Sequence, residues 1–208
     1  MRTLFLTSSF SLVADAIEAH ISATEKILFV TTASETYEGS TPWVDADRAK
    51  LIAAGHKMTD FTFTGASTKE VQRAFDTADC VFVEGGNTYF LLQEVRRSGA
   101  ADVIERFIER GGIYIGCSAG SIIACPTIGW TGWLDDPSKA PDLKGMEGLG
   151  LVPFLILPHW GGERYAKRQL EHNVPLIQKE PHPAILLQDS QYIQVSGDTF
   201  SIRDVSNL

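Results

Sequence analysis

The sequence predicts an α/β sandwich, in which one mostly parallel sheet carries helices on both of its faces. Short apolar runs rich in β-branched residues recur along the first half of the chain, as is typical of buried strands. Stretches with helical spacing separate these runs, and strands that alternate with helices pair in parallel through right-handed crossovers. The 208 residues, 44% hydrophobic and 21% charged, fit one soluble domain, so we expect a single domain over residues 1–208.

The elements of the first half follow this alternation in order. The predicted strands cover residues 3–6, 27–31, 57–63, 80–83 and 113–116, and the predicted helices cover residues 13–21, 43–54, 69–77, 89–97 and 101–110. Local signals support the second helix, because Thr41 suits the N-cap, Pro42 suits the first helical position and Gly55 follows the end. Ligands of open sheets bind beyond the carboxyl ends of the strands, so the residues that follow each strand are the candidates for function.

The chain changes character after Gly129. Residues 130–150 mix glycine, proline, tryptophan and charged residues without a clear period, which predicts a long surface loop. Order then returns: strands are predicted at 154–157, 184–187 and 192–195, a helix at 163–172, and a final hairpin through Gly197 and Asp198.

Composition and charge exclude several classes of protein. The balance of 18 Lys and Arg against 26 Asp and Glu gives a net charge of −8. This argues against nucleic acid or an anionic membrane as partner, since both attract basic surfaces. No apolar run approaches the roughly 20 residues of a membrane span. Residues 2–16 loosely resemble a secretory signal, but polar Thr and Ser residues interrupt the apolar part, so we expect a buried first strand there.

Cysteine usage and the absence of cofactor motifs narrow the chemistry. Cys80, Cys117 and Cys125 are sparse and odd in number, and they lack metal-ligand spacing. This usage favours reduced thiols in a cytoplasmic protein. No cluster of His, Cys, Asp or Glu has metal-ligand spacing along the sequence, and neither common nucleotide-binding glycine motif is present. We therefore expect no metal and no organic cofactor.

The sharpest chemical signal is the segment Gly116-Cys117-Ser118-Ala119-Gly120, which follows a predicted strand and precedes a helix-compatible run. It matches the G-x-S-x-G pattern of a nucleophile elbow, where a serine stands on a tight turn and glycines relieve the crowding. A simpler interpretation is an ordinary Gly-Ser-rich turn. Cys117 is the competing nucleophile, but the glycines are symmetric about Ser118. We predict Ser118 as the nucleophile and Cys117 as a buried structural residue.

A serine nucleophile needs a base and a group that orients the base. Among the five histidines, His159 follows a predicted strand, which places it on the same sheet edge as Ser118; the others fall in helices or between prolines. Two positions offer the orienting carboxylate. Asp189 follows another predicted strand, whereas Asp135, with its neighbour Asp136, lies in the irregular loop. Any of these acids could instead be a solvated turn residue.

An oxyanion hole needs backbone N–H donors beside the nucleophile. Ala119, the residue after the serine, offers one such donor. Gly86 is the candidate for the second, because Gly85, Gly86 and Asn87 follow a predicted strand and glycines let the backbone approach a ligand closely. The same loop could instead hold a small anion such as phosphate.

Four segments, in this order along the chain, resemble the peptidase E family of serine peptidases, the α-aspartyl dipeptidases, to which the cyanophycinases are related. They are VEGGNTYFLL at 83–92, GGIYIGCSAGS at 111–121, ACPTI at 124–128 and LPHW at 157–160. The resemblance implies a three-layer α/β sandwich similar to the class I glutamine amidotransferase-like, flavodoxin-like folds. It also implies Ser118 as nucleophile and His159 as base.

The resemblance leaves two positions for the orienting acid, and we rank Asp189 first because it follows a predicted strand and so lies on a rigid element. One is Asp189, where peptidase E members of the family carry glutamate, and the other is Asp135 in the irregular loop. The resemblance also implies arginines that recognise an acidic substrate. Arg168 matches one of them, while Tyr165 stands in place of another and Arg164 lies one residue earlier.

We therefore expect a cytoplasmic serine peptidase that cleaves short peptides, and dipeptides with an N-terminal aspartate in particular, through a Ser-His-Asp triad and a covalent acyl-enzyme. Asn87, Arg164 and Arg168 are the expected substrate-binding residues. One alternative keeps the triad but hydrolyses β-aspartyl peptides, as cyanophycinases do. Another is a non-catalytic flavodoxin-like module that binds a small anion. A glutamine amidotransferase is disfavoured, because those enzymes carry cysteine at the elbow. The sequence predicts no oligomeric state.

Overall fold

The computed structural model describes residues 1–22 and 24–206. The strands are β1 Thr3–Thr7, β2 Lys26–Val30, β3 Lys57–Phe61, β4 Cys80–Val83, β5 Ile113–Cys117, β6 Leu155–Leu157, β7 Ala184–Leu186, β8 Gln191–Ser196 and β9 Thr199–Asp204. The α-helices are α1 Phe10–Glu18, α2 Pro42–Ala53, α3 Thr68–Asp76, α4 Thr88–Ser98, α5 Ala100–Glu109, α6 Ala119–Ile122, α7 Ala166–Arg168 and α8 Val174–Ile177.

The main sheet has seven strands in the order β3-β2-β4-β5-β1-β8-β9. The first five strands of the chain pair in parallel, whereas β8 runs antiparallel to β1 and β9 antiparallel to β8. Strand β1 lies between β5 and β8, and its last residue, Thr7, is opposite Cys117. The carboxyl ends of β1, β4 and β5 therefore open toward one edge, as the parallel pairing predicts.

Side-chain alternation along the strands divides the core into two layers. In β1, Leu4 and Leu6 pack into the larger hydrophobic cluster, which includes residues of α3, α4 and α5. Phe5 points to the opposite face and packs with residues of α1 and α2. Because successive strand side chains point to opposite faces, this sheet is covered by helices on both sides. The predicted mostly parallel α/β sandwich is confirmed.

The second half of the chain departs from the prediction in one respect that matters for the site. Strands β6 and β7 pair with each other in a separate two-stranded parallel sheet, so His159 does not follow a strand of the main sheet. The expectation that it shares a sheet edge with Ser118 was wrong. The small sheet instead packs beside α6, the helix that follows Ser118, and this packing brings β6 to the site.

The helical segment after β6 is longer and less regular than the predicted helix at 163–172. It begins with α7, continues as a π-helical stretch over Gln169–Asn173 and ends with α8. Pro175 lies in the first turn of α8. Since proline lacks the N–H that an α-helix uses to bond four residues back, a local change of helical pitch is expected there.

The predictions of an irregular 130–150 region and of unpaired cysteines agree with the structure. The 130–150 region is irregular apart from a short 3₁₀ turn at Pro137–Lys139, and Cys80, Cys117 and Cys125 are free and buried. Across residues 1–22 and 24–206, none of the helices has the length and apolar character needed to cross a membrane.

Candidate active site

Ser118 stands on a strained turn between β5 and α6. Its φ of 46° and ψ of −104° lie where non-glycine residues are rarely found. The two flanking glycines allow close backbone packing around the turn. A Cβ on Gly116 would lie 2.6 Å from the carbonyl oxygen of Gly120, and a Cβ on Gly120 would lie 2.0 Å from that of Val83. The glycine spacing thus serves the elbow, as the motif predicts.

Ser118, His159 and Asp189 form one hydrogen-bonded row. The Ser118 hydroxyl lies 3.0 Å from Nε2 of His159, and Nδ1 of His159 lies 2.8 Å from Oδ1 of Asp189. An ionised carboxylate only accepts hydrogen bonds, so Nδ1 donates to Asp189. This tautomer leaves Nε2 free to accept the serine proton.

Ser8 completes the row and was not predicted as a site residue. It follows β1, is fully buried, and its hydroxyl donates to Oδ1 of Asp189 at 2.5 Å. The Ser8 hydroxyl oxygen in turn accepts a hydrogen bond from the backbone N–H of His159 at 2.6 Å. His159 has a φ of 59°, and the bond from its N–H helps to hold that strained conformation. The rule that residues just after strands carry function could have identified Ser8, because it occupies such a position.

Asp135 lines a cavity together with Ser118 and His159, but its hydrogen-bond partners differ from those of Asp189. Its Oδ2 accepts from the backbone N–H of Thr88 at 3.0 Å and from the Thr88 hydroxyl at 2.5 Å. Among the residues that the structure describes, it forms no hydrogen bond to His159. Of the two candidate carboxylates, Asp189 is therefore the one in contact with the imidazole.

The two acids also differ in electrostatics. Partial burial opposes ionisation of Asp189, but the hydrogen bonds from His159 and Ser8 hold its pKa below the ordinary value. Burial raises the pKa of Asp135, and the hydrogen bonds from Thr88 only partly offset that rise. The carboxylate form is thus favoured beside His159 and disfavoured beside Thr88.

Two backbone N–H groups next to Ser118 are available for an oxyanion. Within residues 1–22 and 24–206, neither the Gly86 N–H nor the Ala119 N–H donates to a protein acceptor. Gly86 has a φ of 147°, and a Cβ there would lie 2.1 Å from the carbonyl oxygen of Ala33. Only glycine fits this position, because the chain there packs against the Ala33 backbone. The predicted close approach of this loop to a ligand stays a prediction.

A cavity of about 490 Å³ opens over the hydrogen-bonded row. Tyr37, Trp43 and Leu134 contribute apolar wall, and Arg164 and Arg168 contribute positive charge. The volume falls within the roughly 300 to 1,000 Å³ typical of small-molecule sites. The cavity can therefore enclose a ligand of a few residues beside the serine hydroxyl.

A profile of peptidase family S51 matches residues 4–203. The chain belongs to peptidase family S51. An uncharacterized peptidase of Pasteurella multocida (strain Pm70), PM1590, is 32% identical over 201 residues, 93% of this chain and 97% of the relative. A peptidase E of Citrobacter koseri is 38% identical over 128 residues, 59% of this chain and 54% of that protein. A crystal structure of a candidate peptidase E protein from Listeria monocytogenes EGD-e superposes with a TM-score of 0.91 at 31% identity, covering 99% of this chain and 100% of that chain.

Membership in family S51 makes the chain a serine peptidase, which sets aside the non-catalytic anion-binding module. The predicted resemblance to peptidase E is confirmed by the relatives of that name. The fold of the S51 chain matches its structural neighbour over nearly its whole length, so the layered α/β architecture agrees with that of a peptidase E-type protein.

The predicted substrate-binding residues of this S51 peptidase have different surroundings. The guanidinium of Arg164 lies over the Tyr165 ring at 5.5 Å, and that ring stacks on His159 with 4.9 Å between centroids. Arg168 donates to the carbonyl of Trp133 at 3.4 Å. Both arginines border the cavity.

Asn87 differs from the arginines because its side chain is already engaged within the protein. Its Oδ1 accepts from the N–H of Phe90 and caps α4, and its Nδ2 donates to the carbonyl of Asp136. The residue is buried and both polar atoms of its side chain have partners within the protein, which argues against the predicted role in substrate binding. It instead fixes the glycine loop at the start of α4, because the N-cap bond anchors the helix end.

Proposed function

We propose that this S51 peptidase hydrolyses short peptides through a covalent acyl-enzyme, with Ser118 as nucleophile, His159 as general base and acid, and Asp189 as the orienting acid. The observation that supports this proposal is the row of contacts from the Ser118 hydroxyl through both imidazole nitrogens to Asp189, at 3.0 and 2.8 Å. Proton transfer along such a row needs these distances, between about 2.6 and 3.2 Å. The proposal also treats residues 1–208 as a single catalytic domain that contains all three of these residues.

The proposed reaction has two stages. Nε2 of His159 takes the Ser118 proton while the oxygen attacks the peptide carbonyl carbon, and the N–H groups of Gly86 and Ala119 bind the oxyanion that forms. The imidazolium then gives its proton to the leaving amine as the C–N bond breaks. In the second stage, water hydrolyses the ester between Ser118 and the acyl group. His159 takes a proton from the water as its oxygen adds to the ester carbonyl, and then gives that proton to the Ser118 oxygen as the C–O bond breaks.

The nucleophile is tested by Ser118→Ala. We expect turnover to fall by about 10⁴-fold or more, because such sites retain only binding and oxyanion stabilisation once the nucleophile is gone. Ser9→Ala is the matched control, since Ser9 borders the same cavity but lies outside the row. A fluorophosphonate probe should label the wild type and Ser9→Ala and leave Ser118→Ala unlabelled. Wild-type turnover in Ser118→Ala would refute the assignment.

The proposed substrate is a dipeptide with an N-terminal aspartate. Arg164 and Arg168 bring positive charge to a cavity that Asp47 and Asp135 also line. Burial raises the pKa of both carboxyl groups, which disfavours their charged forms, so the arginines can attract an anionic group although the whole chain has a net charge of −8. Arginine binds carboxylates through paired hydrogen bonds. We expect Asp-Leu to be hydrolysed at least about tenfold faster than Asn-Leu in kcat/KM, the equivalent of about 1.4 kcal/mol.

Arg168→Gln should lose this preference for Asp-Leu. Arg96→Gln is the matched control, because Arg96 binds the 144–147 loop, and it should retain the preference. These two results together would support substrate recognition in the cavity. Equal rates on Asp-Leu and Asn-Leu in the wild type would contradict it. Faster turnover of β-aspartyl than of α-aspartyl dipeptides would favour the cyanophycinase-like alternative while keeping the same triad.

A further inference from the structure

Behind the nucleophile elbow lies a second cluster of acidic groups that the peptidase mechanism does not use. Asp47 of α2, Glu84 at the end of β4 and Cys117 at the end of β5 bring their oxygen and sulfur atoms within 4.8 Å of one another. All three side chains are buried, with exposures of 2%, 0% and 5%. Their positions at 47, 84 and 117 share no short sequence spacing, so sequence inspection could not connect them.

The topology explains why they meet. Val83 is paired with Gly116 across β4 and β5, so Glu84 and Cys117 are neighbours on adjacent parallel strands. Cys117 packs in the layer beneath α1 and α2, and α2 brings Asp47 to this layer. The three groups therefore occupy a fixed site formed by two strand ends and a helix.

Among the described residues, no Lys or Arg side chain forms an ion pair with Asp47 or Glu84, although the charge of Arg48 acts on Glu84 from further away. Oε2 of Glu84 accepts from the N–H of Gly85 and Oδ1 of Asp47 accepts from the N–H of Ser11, but the buried Oε1 of Glu84 has no hydrogen-bond partner in the described part of the chain. Arg48, the neighbouring base, is paired with Asp60 at 2.7 Å. An unpartnered buried carboxylate oxygen is costly, so Glu84 needs either a proton that it shares with Asp47 or a bound cation.

Electrostatic crowding supports the same interpretation. Burial raises the pKa of all three groups, and a neighbouring carboxylate raises the pKa of Glu84 and of Cys117 further. Three acidic groups this close together need bound protons or a cation to compensate their charge.

We propose that Asp47, Glu84 and Cys117 bind a thiophilic divalent cation such as Zn²⁺, and that the bound ion inhibits the peptidase. One thiolate and two carboxylates are a suitable donor set for Zn²⁺, with three protein ligands and a fourth position open. Tetrahedral ligands at 2.0 to 2.3 Å from zinc lie about 3.5 Å apart, so small side-chain movements suffice. The ion replaces the thiol proton and any carboxyl protons, which pass to solvent.

The position of the cluster explains the expected inhibition. Asp47 and Cys117 border the catalytic cavity, which gives an ion access from solvent. Cys117 directly precedes Ser118, and the Glu84 carboxylate holds the N–H next to Gly86. An ion that draws in Cys117 and Glu84 displaces the backbone on both sides of the proposed oxyanion hole.

Cobalt provides a test that does not depend on activity. Titrating the purified full chain with Co²⁺ should produce a thiolate-to-cobalt charge-transfer band in the near ultraviolet that saturates at one ion per chain. Cys117→Ser should lose this band, whereas Cys80→Ser and Cys125→Ser, matched changes at the other buried thiols, should retain it. Glu84→Gln should weaken Co²⁺ binding by at least about tenfold, the lower end of the loss seen when even an outer-shell partner is removed.

Inhibition is then measured on folded variants, checked by circular dichroism. Zn²⁺ should displace Co²⁺ and inhibit the wild type over the same concentration range, and a chelator should reverse the inhibition. Asp189→Asn should keep the cobalt band, because Asp189 contacts His159 and is not part of the Asp47, Glu84 and Cys117 cluster. A folded wild type without a thiolate band, a band that persists in Cys117→Ser, or equal Zn²⁺ inhibition of Cys117→Ser and wild type would each overturn the proposal. None of these outcomes depends on the identity of the catalytic triad.

Discussion

Asp135 lines the cavity, whereas Asp189 lies behind the His159 imidazole, and the contrast between these two acids shows what distinguishes the proposed orienting carboxylate from a neighbouring acid. Asp189 lies just after β7, where its carboxylate meets the imidazole of His159 and the hydroxyl of Ser8. Asp135 lies in the irregular 130–150 loop and binds the start of α4 through Thr88. Both are acids near a histidine, yet only one belongs to the hydrogen-bonded row.

The difference lies in the partners that each carboxylate has. Two polar side chains compensate the charge of Asp189 and lower its pKa, whereas Asp135 is desolvated with a single threonine as donor and its pKa is raised. Hydrogen bonds to an ionised carboxylate are stronger than those between neutral groups. Asp189 is therefore suited to stabilise an imidazolium, while Asp135 is suited to hold the loop against α4.

The largest expected effect that tests this contrast comes from Asp189→Asn. Asparagine would present an N–H to Nδ1 and favour the wrong imidazole tautomer, so we expect kcat to fall by about 10⁴-fold, as in serine-protease triads. Asp135→Asn keeps an acceptor for Thr88 and should lower kcat by less than about tenfold. Steady-state rates on one dipeptide measure both. If Asp135→Asn were the more damaging change, the two acids would have been assigned in the wrong order.

A smaller effect is expected from Ser8→Ala. This change removes the donor to Asp189 and the acceptor for the His159 N–H, so the imidazole should lose orientation while the nucleophile stays in place. A hydrogen bond to a charged group contributes about 1.5 to 3 kcal/mol, which corresponds to a loss of roughly 10- to 100-fold in kcat. KM should change little, because Ser8 acts through other residues.

Ser9→Ala serves again as the matched control for that experiment, because Ser9 lies beside the same cavity. The fold must stay intact in both variants, which circular dichroism checks. Equal kcat values for Ser8→Ala and Ser9→Ala would show that the row ends at Asp189 and that Ser8 has no positioning role.

The fold and part of the candidate site could be predicted from the sequence. The strand-helix alternation predicts the parallel sheet, and the symmetric glycines around Ser118 predict the elbow, because both depend on local patterns. His159 was predicted on the premise that it follows a strand of the main sheet, and that premise was wrong. Strand β6 belongs to the small sheet, and its packing beside α6 brings His159 to the serine.

Local sequence patterns could not predict which residues from distant parts of the chain contact each other. Ser8 and Asp189 lie 181 positions apart and meet only because β8 returns beside β1. Asn87 was expected to bind substrate, but its amide oxygen accepts from the N–H of Phe90 and caps α4. The sequence ranked Asp189 ahead of Asp135 because of its position after a strand, but the contact between that carboxylate and the imidazole depends on the tertiary fold.

The smallest expected effect concerns stability, and here the two acids should act in opposite directions. The lowered pKa of Asp189 means that its carboxylate stabilises the folded state above its ordinary pKa of 3.8, a contribution that is lost as the pH falls through the lowered pKa. The raised pKa of Asp135 means that its ionisation destabilises the folded state as the pH rises from 3.8 through the raised pKa. Relative to wild type at pH 7, Asp189→Asn should therefore lower the free energy of unfolding, and Asp135→Asn should raise it.

Urea unfolding at pH 7 and at pH 3 measures both differences. Each should shrink at pH 3, which lies below the ordinary pKa of 3.8, because the unfolded state then binds protons at both positions and ionisation in the folded state contributes less to the difference. Since Asp189 is partly exposed, solvent screening keeps its effect modest. The sign of the two differences therefore decides the comparison. If both variants shifted the free energy of unfolding in the same direction at pH 7, with the same pH dependence, the hydrogen bonds from His159 and Ser8 would not distinguish Asp189 from Asp135.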